Sequence, residues 1–136
     1  MIRRKMKPRS SNYEAIVDTT EAPKLCTYQE LPNWAKDNQY IVTGYRIPCP
    51  SYRNCIKTLT YIHNETGNII SHLFGALLFI GIFINFINQL ISSHLSNAKF
   101  SDYFWVILYC LSAIFCFIAS SMFHTFSCHS EKVNPK

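Results

Sequence analysis

Charge is almost missing from one long stretch of this sequence. Residues 69–123 contain one basic residue, Lys99, and one acidic residue, Asp102, whereas residues 1–68 hold ten Lys/Arg and six Asp/Glu. A soluble domain spreads charge over its whole surface, so residues 69–123 have little to show to water. Two further absences narrow the reading. No apolar run follows the basic start (Arg3, Arg4, Lys5, Lys7, Arg9), which argues against a cleaved secretory signal. None of the six cysteines falls in a C-x-x-C pair, and Cys110 and Cys116 lie inside an apolar run, where they behave as small hydrophobes. A disulfide framework is therefore not indicated.

What is present in the charge-poor stretch is length. Residues 104–123, FWVILYCLSAIFCFIASSMF, form an uncharged run that crosses about 30 Å of hydrocarbon at about 1.5 Å per residue. Tyr103 and Trp105 stand at one end, where amphipathic rings favour the headgroup region. Residues 73–91, LFGALLFIGIFINFINQLI, are also long enough, although Asn85, Asn88 and Gln89 share one face of the second half. In lipid that face needs partners or the aqueous boundary. The connection over residues 92–103 is short and polar, so the two helices are expected to be antiparallel neighbours. The fold class that follows is all-α membrane protein, with spans at about 69–91 and 104–123. Lys/Arg bias (Arg53 and Lys57 before the first span, Lys99 between, Lys132 and Lys136 after) sets the amino terminus in the cytoplasm.

Ahead of the spans, residues 1–30 read as a disordered cytoplasmic tail: basic, poor in large apolar residues and without a period. A nucleic-acid-binding patch is the competing reading of the basic start, and the solvated tail is preferred. Residues 31–68 read as a juxtamembrane segment. Pro32 opens a short turn of helix, and Pro48 and Pro50 keep the chain extended. Ser51 then caps a helix in which Tyr52, Cys55, Ile56, Leu59 and Ile62 recur at helical spacing, as in an amphipathic helix on a membrane surface. The polar cluster His63-Asn64-Glu65-Thr66-Gly67-Asn68 joins it to the first span, and for Glu65 a structural capping role is preferred to a catalytic one.

One face of the second span carries Ser112, Cys116, Ser120 and His124, each four residues apart. Small residues let another backbone approach closely, so this stripe marks a side that faces a bundle. His124 ends the stripe, either as an interfacial hydrogen-bonding residue or as a metal ligand. A catalytic zinc takes three protein ligands and an open position. Other candidates on the same side are His63, His72, Cys128 and His129. His124 and His129 are poorly spaced for one metal on a regular helix, so further ligands would come from residues outside this sequence.

Three blocks, LPNWAKDNQYIVTGYRIPCPSYRNC, YIHNETGNIISHLFG and SSMFHTFSCHSEKV, resemble the progestin and adipoQ receptor family, which is haemolysin III-related. The nearest branch is that of the adiponectin receptors and their fungal zinc-homeostasis relatives, and the likeness runs from about residue 31 to residue 133. The resemblance implies a bundle of seven membrane helices with a cytoplasmic amino terminus. It implies a zinc ion held by three histidines. Of these, His124 is the first, in an S-x-x-x-H element with Ser120 as an outer residue, and an H-x-x-x-H pair on the seventh helix supplies the others. An acidic residue soon after the second helix positions the zinc-bound water, and the family is associated with ceramidase-like amide hydrolysis. The sequence leaves the family pattern after Val133, before that acidic residue and helices three to seven. The expectation is a fragment or truncated product, with no catalytic residue of its own and inactive alone.

Three functions follow as expectations. The first is a receptor-type membrane protein in lipid or metal-linked signalling. The second is a zinc-dependent membrane amide hydrolase when complete, and the third a non-enzymatic two-span interaction protein. The implied partners are the lipid bilayer, other helices of the same bundle and a lipid or protein ligand, without nucleic acid. The implied location is the plasma membrane or an endomembrane.

Overall fold

The computed structural model describes residues 25–92 and 99–135. Residues 1–24 of the predicted tail and residues 93–98 of the polar connection between the spans lie outside the described residues. The chain divides into two compact units, one built from Met1–Asn64 with Phe126–Lys136, the other from Glu65–Thr125.

The first unit is organised by a short antiparallel pair, β1 (Leu25–Cys26) and β2 (Tyr45–Arg46), in which Leu25 faces Arg46 and Cys26 faces Tyr45. Regular structure thus begins at Leu25, inside the stretch read as a tail over residues 1–30. The composition of that stretch averages a polar start with Leu25 and Cys26, and strand pairing with residues twenty positions away has no local signature. Cys26, Leu31 and Tyr45 form a small buried cluster, against which Tyr28, Ala35 and Ile47 pack. The Tyr45 hydroxyl donates to the Asn38 carbonyl at 2.7 Å, so the one polar atom of that buried ring is satisfied. Pro32 precedes a 3-10 turn over Asn33–Ala35, as its fixed φ predicts. Gly44 takes φ +85°, a left-handed turn that feeds β2, and its carbonyl accepts from Asn64 N at 2.8 Å.

Ser51 caps α1 (Tyr52–Lys57), its hydroxyl accepting from Asn54 N at 3.4 Å. The helix is shorter than its apolar spacing predicts. Over Thr58–Thr60 the chain tightens into a 3-10 turn. The Thr58 hydroxyl donates to Cys55 O (2.7 Å) and the Thr60 hydroxyl to Lys57 O (2.8 Å), the competition for main-chain carbonyls that disfavours Thr in helix interiors. Only Cys55 of the apolar set is buried, while Tyr52, Ile56, Leu59 and Ile62 are exposed.

The second unit is a helical hairpin of α2 (Thr66–Ile91) and α3 (Phe100–Phe126). Both helices contain the predicted spans and extend beyond them. Ring contacts run antiparallel, as the short connection predicts: His72 against Phe117 (5.8 Å between ring centres), Phe79 against Tyr109 (5.9 Å) and Phe86 against Tyr103 (6.4 Å). A close approach falls at Gly75, where a Cβ would lie 2.9 Å from the Phe117 ring. Ser121 reaches the Ile69 carbonyl at 3.5 Å and is buried with Cys110 and Thr125. The face of α3 that packs on α2 therefore carries Cys110, Phe117, Ser121 and Thr125. The small-residue stripe lies beside it, with Ser112 and Cys116 exposed and Ser120 and His124 half-buried. Asn85, Asn88 and Gln89 are exposed near the end of α2.

Candidate metal centre

Glu65 stands at the amino end of α2, and its carboxylate does not cap the helix. Oε2 instead accepts from Asn68 Nδ2 at 2.8 Å and lies 3.0 Å from Nδ1 of His124, near the end of α3. The antiparallel hairpin brings these two residues together across 59 positions. The expected capping role of Glu65 gives way to a cross-helix contact because its side chain turns toward α3. An ionised carboxylate only accepts hydrogen bonds. In the tautomer with Nδ1 of His124 donating to that carboxylate, Nε2 is the nitrogen that offers a lone pair.

His72 lies two turns into α2, its ring centre 5.7 Å from that of His124. Its Nδ1 is buried without a hydrogen-bond partner among the described residues. A buried polar atom left so costs about 1–3 kcal/mol, and a metal ion, water or further polar group is the usual explanation. Ser120 sits one turn before His124, half-buried. The other candidates named from the sequence fall in the first unit: His63 packs edge-on to Tyr61, His129 stacks on Tyr52 at 4.2 Å, and Cys128 joins two other cysteines.

That cysteine group was not legible in the sequence. Cys49, Cys55 and Cys128 bring their sulfurs together: 3.6 Å for Cys49–Cys55, 3.8 Å for Cys49–Cys128 and 3.6 Å for Cys55–Cys128. All are free thiols. Cys128 is pushed down to about 3, chiefly by its hydrogen-bond contacts with Cys49 and Cys55 and also by the nearby Arg46 guanidinium. Cys49 is pushed up to about 11, and Cys55 also rises, each chiefly through its contact with Cys128. Arg46 is itself buried, donating to Thr58 Oγ1 (3.1 Å) and Ser127 Oγ (2.9 Å). The group can hold a metal ion by its donor set and spacing.

Helices of 26 and 27 residues whose apolar side chains mostly point outward are those of a helical integral membrane protein, not the buried core of a soluble one. The comparisons with known proteins agree. The family model described as Haemolysin-III related matches residues 60–135, and the chain belongs to that family. Over 112 residues it is 40% identical to the adiponectin receptor protein of Drosophila melanogaster, covering 81% of this chain and 24% of that protein. It is 35% identical over 129 residues to progestin and adipoQ receptor-like protein 1 of Caenorhabditis elegans, covering 92% of this chain and 28% of that protein. It is 41% identical over 114 residues to human progestin and adipoQ receptor family member 3, covering 80% and 34%. The chain thus spans about a quarter to a third of the length of these relatives.

Proposed function

We propose that this chain forms the first two membrane helices of a receptor-type protein in lipid or metal-linked signalling, and that His124 is one ligand of its zinc ion. The observation that carries this reading is the 3.0 Å contact between His124 Nδ1 and Glu65 Oε2. Metal-ligating imidazoles commonly hold their second nitrogen against a carboxylate, which sets the tautomer and raises the basicity of the ligating nitrogen. Glu65 is then the positioning residue, steadied by Asn68. The buried, unpartnered Nδ1 of His72 also fits a polar or metal-bearing centre beside His124. Ser120, one turn before His124, takes an outer supporting role. The two remaining histidines of the three-ligand scheme belong to later helices of the family pattern. Zinc bound there would polarise a carbonyl and activate a water near neutral pH, the chemistry of ceramidase-like amide hydrolysis. The residues of this chain hold and orient one ligand, with the amino terminus on the cytoplasmic side.

The test is a chimera in which this chain replaces the matching segment of the Drosophila relative. Purified from membranes, it should carry about one zinc per chain at the histidine centre. His124→Ala should lower the zinc content by about one equivalent, Glu65→Gln should lower the affinity of that centre by about 10–100-fold, and Ser120→Ala should have a smaller effect. A zinc content untouched by His124→Ala sinks the assignment.

A further inference from the structure

We propose that Cys49, Cys55 and Cys128 form a second metal site, a three-thiolate centre for a soft divalent cation of the zinc class. It lies wholly within the first unit and is independent of His124. The spacing is the main argument. A cation bonded to thiolates at about 2.3 Å in a tetrahedral site sets its sulfurs about 3.8 Å apart. The three observed separations, 3.6, 3.6 and 3.8 Å, make a nearly equilateral triangle that three corners of such a tetrahedron need. A disulfide requires about 2.05 Å and joins only two sulfurs, so the triangle is not the geometry of a bridge.

Three different segments supply the sulfurs, which makes chance adjacency along the chain an inadequate account. Cys49 lies between Pro48 and Pro50, whose rings restrict the backbone on both sides. Cys55 is on α1, positioned by the Ser51 cap. Cys128 follows α3, and its carbonyl accepts from Cys49 N at 2.9 Å, which fixes the first and third ligands relative to each other. Cys55 and Cys128 are buried, while Cys49 is only partly so and leaves a route for an ion. Three thiolates around a divalent cation leave one net negative charge, and the buried guanidinium of Arg46 offsets it. Binding releases the thiol protons to solvent and leaves a fourth position for water.

The test uses the full chain, purified in detergent, reduced and desalted, with Co²⁺ alone as probe. The expected result is one equivalent of cobalt with sulfur-to-metal charge-transfer absorption, a signature that imidazole and carboxylate ligands do not give. Zn²⁺ should bleach it. The band should persist in His124→Ala, which separates this site from the proposed histidine centre, and in Cys116→Ser. It should be lost in Cys128→Ser. Should Cys128→Ser lose its helical circular dichroism, two readouts remain decisive. Cys49→Ser, at the partly exposed corner, should also lose the band. In the unsubstituted chain Zn²⁺ should protect Cys49, Cys55 and Cys128 from alkylation and leave Cys26 unaffected. Absence of the band in the unsubstituted chain, its survival in Cys49→Ser, or unchanged alkylation of the three cysteines overturns the proposal.

Discussion

At the scale of single residues, burial and neighbouring charge decide the chemistry of each side chain. Cys26 shows this outside the metal centres. Its thiol is pushed up to about 11, first by burial and then by the negative charge of Glu30. At pH 9 about half of an ordinary thiol is ionised, against about one hundredth of Cys26, so native Cys26 should alkylate about 50-fold more slowly than in the unfolded chain. Alkylation followed by peptide mass mapping measures this, and equal rates would contradict the burial. The sign for stability follows. A raised folded value means that the native state holds the proton while the unfolded chain loses it, so the Cys26 contribution is intact below pH 9 and declines between pH 9 and about 11. His124 illustrates what a residue type leaves open. Its place on a helix was legible from spacing, but the carboxylate against Nδ1 comes from 59 positions away and has no local signature.

At the scale of elements, the hairpin rests on aromatic rings meeting a glycine. Phe117 touches His72 and Phe79 and lies against the open face of Gly75. A Cβ at Gly75 would sit 2.9 Å from the ring, so Gly75→Ala must displace it. Overpacking of this kind costs about 1–3 kcal/mol. Gly75→Ala should lower the thermal stability of the helical pair in detergent, and the loss should shrink in a Phe117→Leu background, because the clash is with the ring. Equal losses in both backgrounds would place the cost elsewhere. The helices themselves were legible, since an uncharged run of about twenty residues has few soluble alternatives. The end of α1 was not: the apolar spacing continues through Ile62, while threonine hydroxyls at Thr58 and Thr60 take the carbonyls that a longer helix needs.

At the scale of the whole molecule, two compact units of different character share one chain. The Glu65–Thr125 unit presents large apolar side chains outward, Phe74, Leu77, Leu111 and Phe115 among them. A charge placed at the centre of such a face costs about 2.5–3.5 kcal/mol of membrane insertion. Phe115→Asp should therefore reduce the fraction of chain retained in membranes after alkaline extraction. Tyr40→Asp, on an exposed residue of the other unit, should leave it unchanged. Equal retention of both variants would mean that this face of α3 does not meet lipid. The amino-acid sequence by itself determined the membrane class, the two helices, their antiparallel order and the helix start at Ser51, because each depends on length, hydropathy or spacing within one local segment. Only the tertiary structure decided which side chains meet. The Glu65–His124 contact, the Gly75–Phe117 approach and the triangle of Cys49, Cys55 and Cys128 all join distant positions. Local periodicity shows which face of a helix a residue occupies. Which residue faces it is set by the register of a hairpin and the path of the chain between the elements.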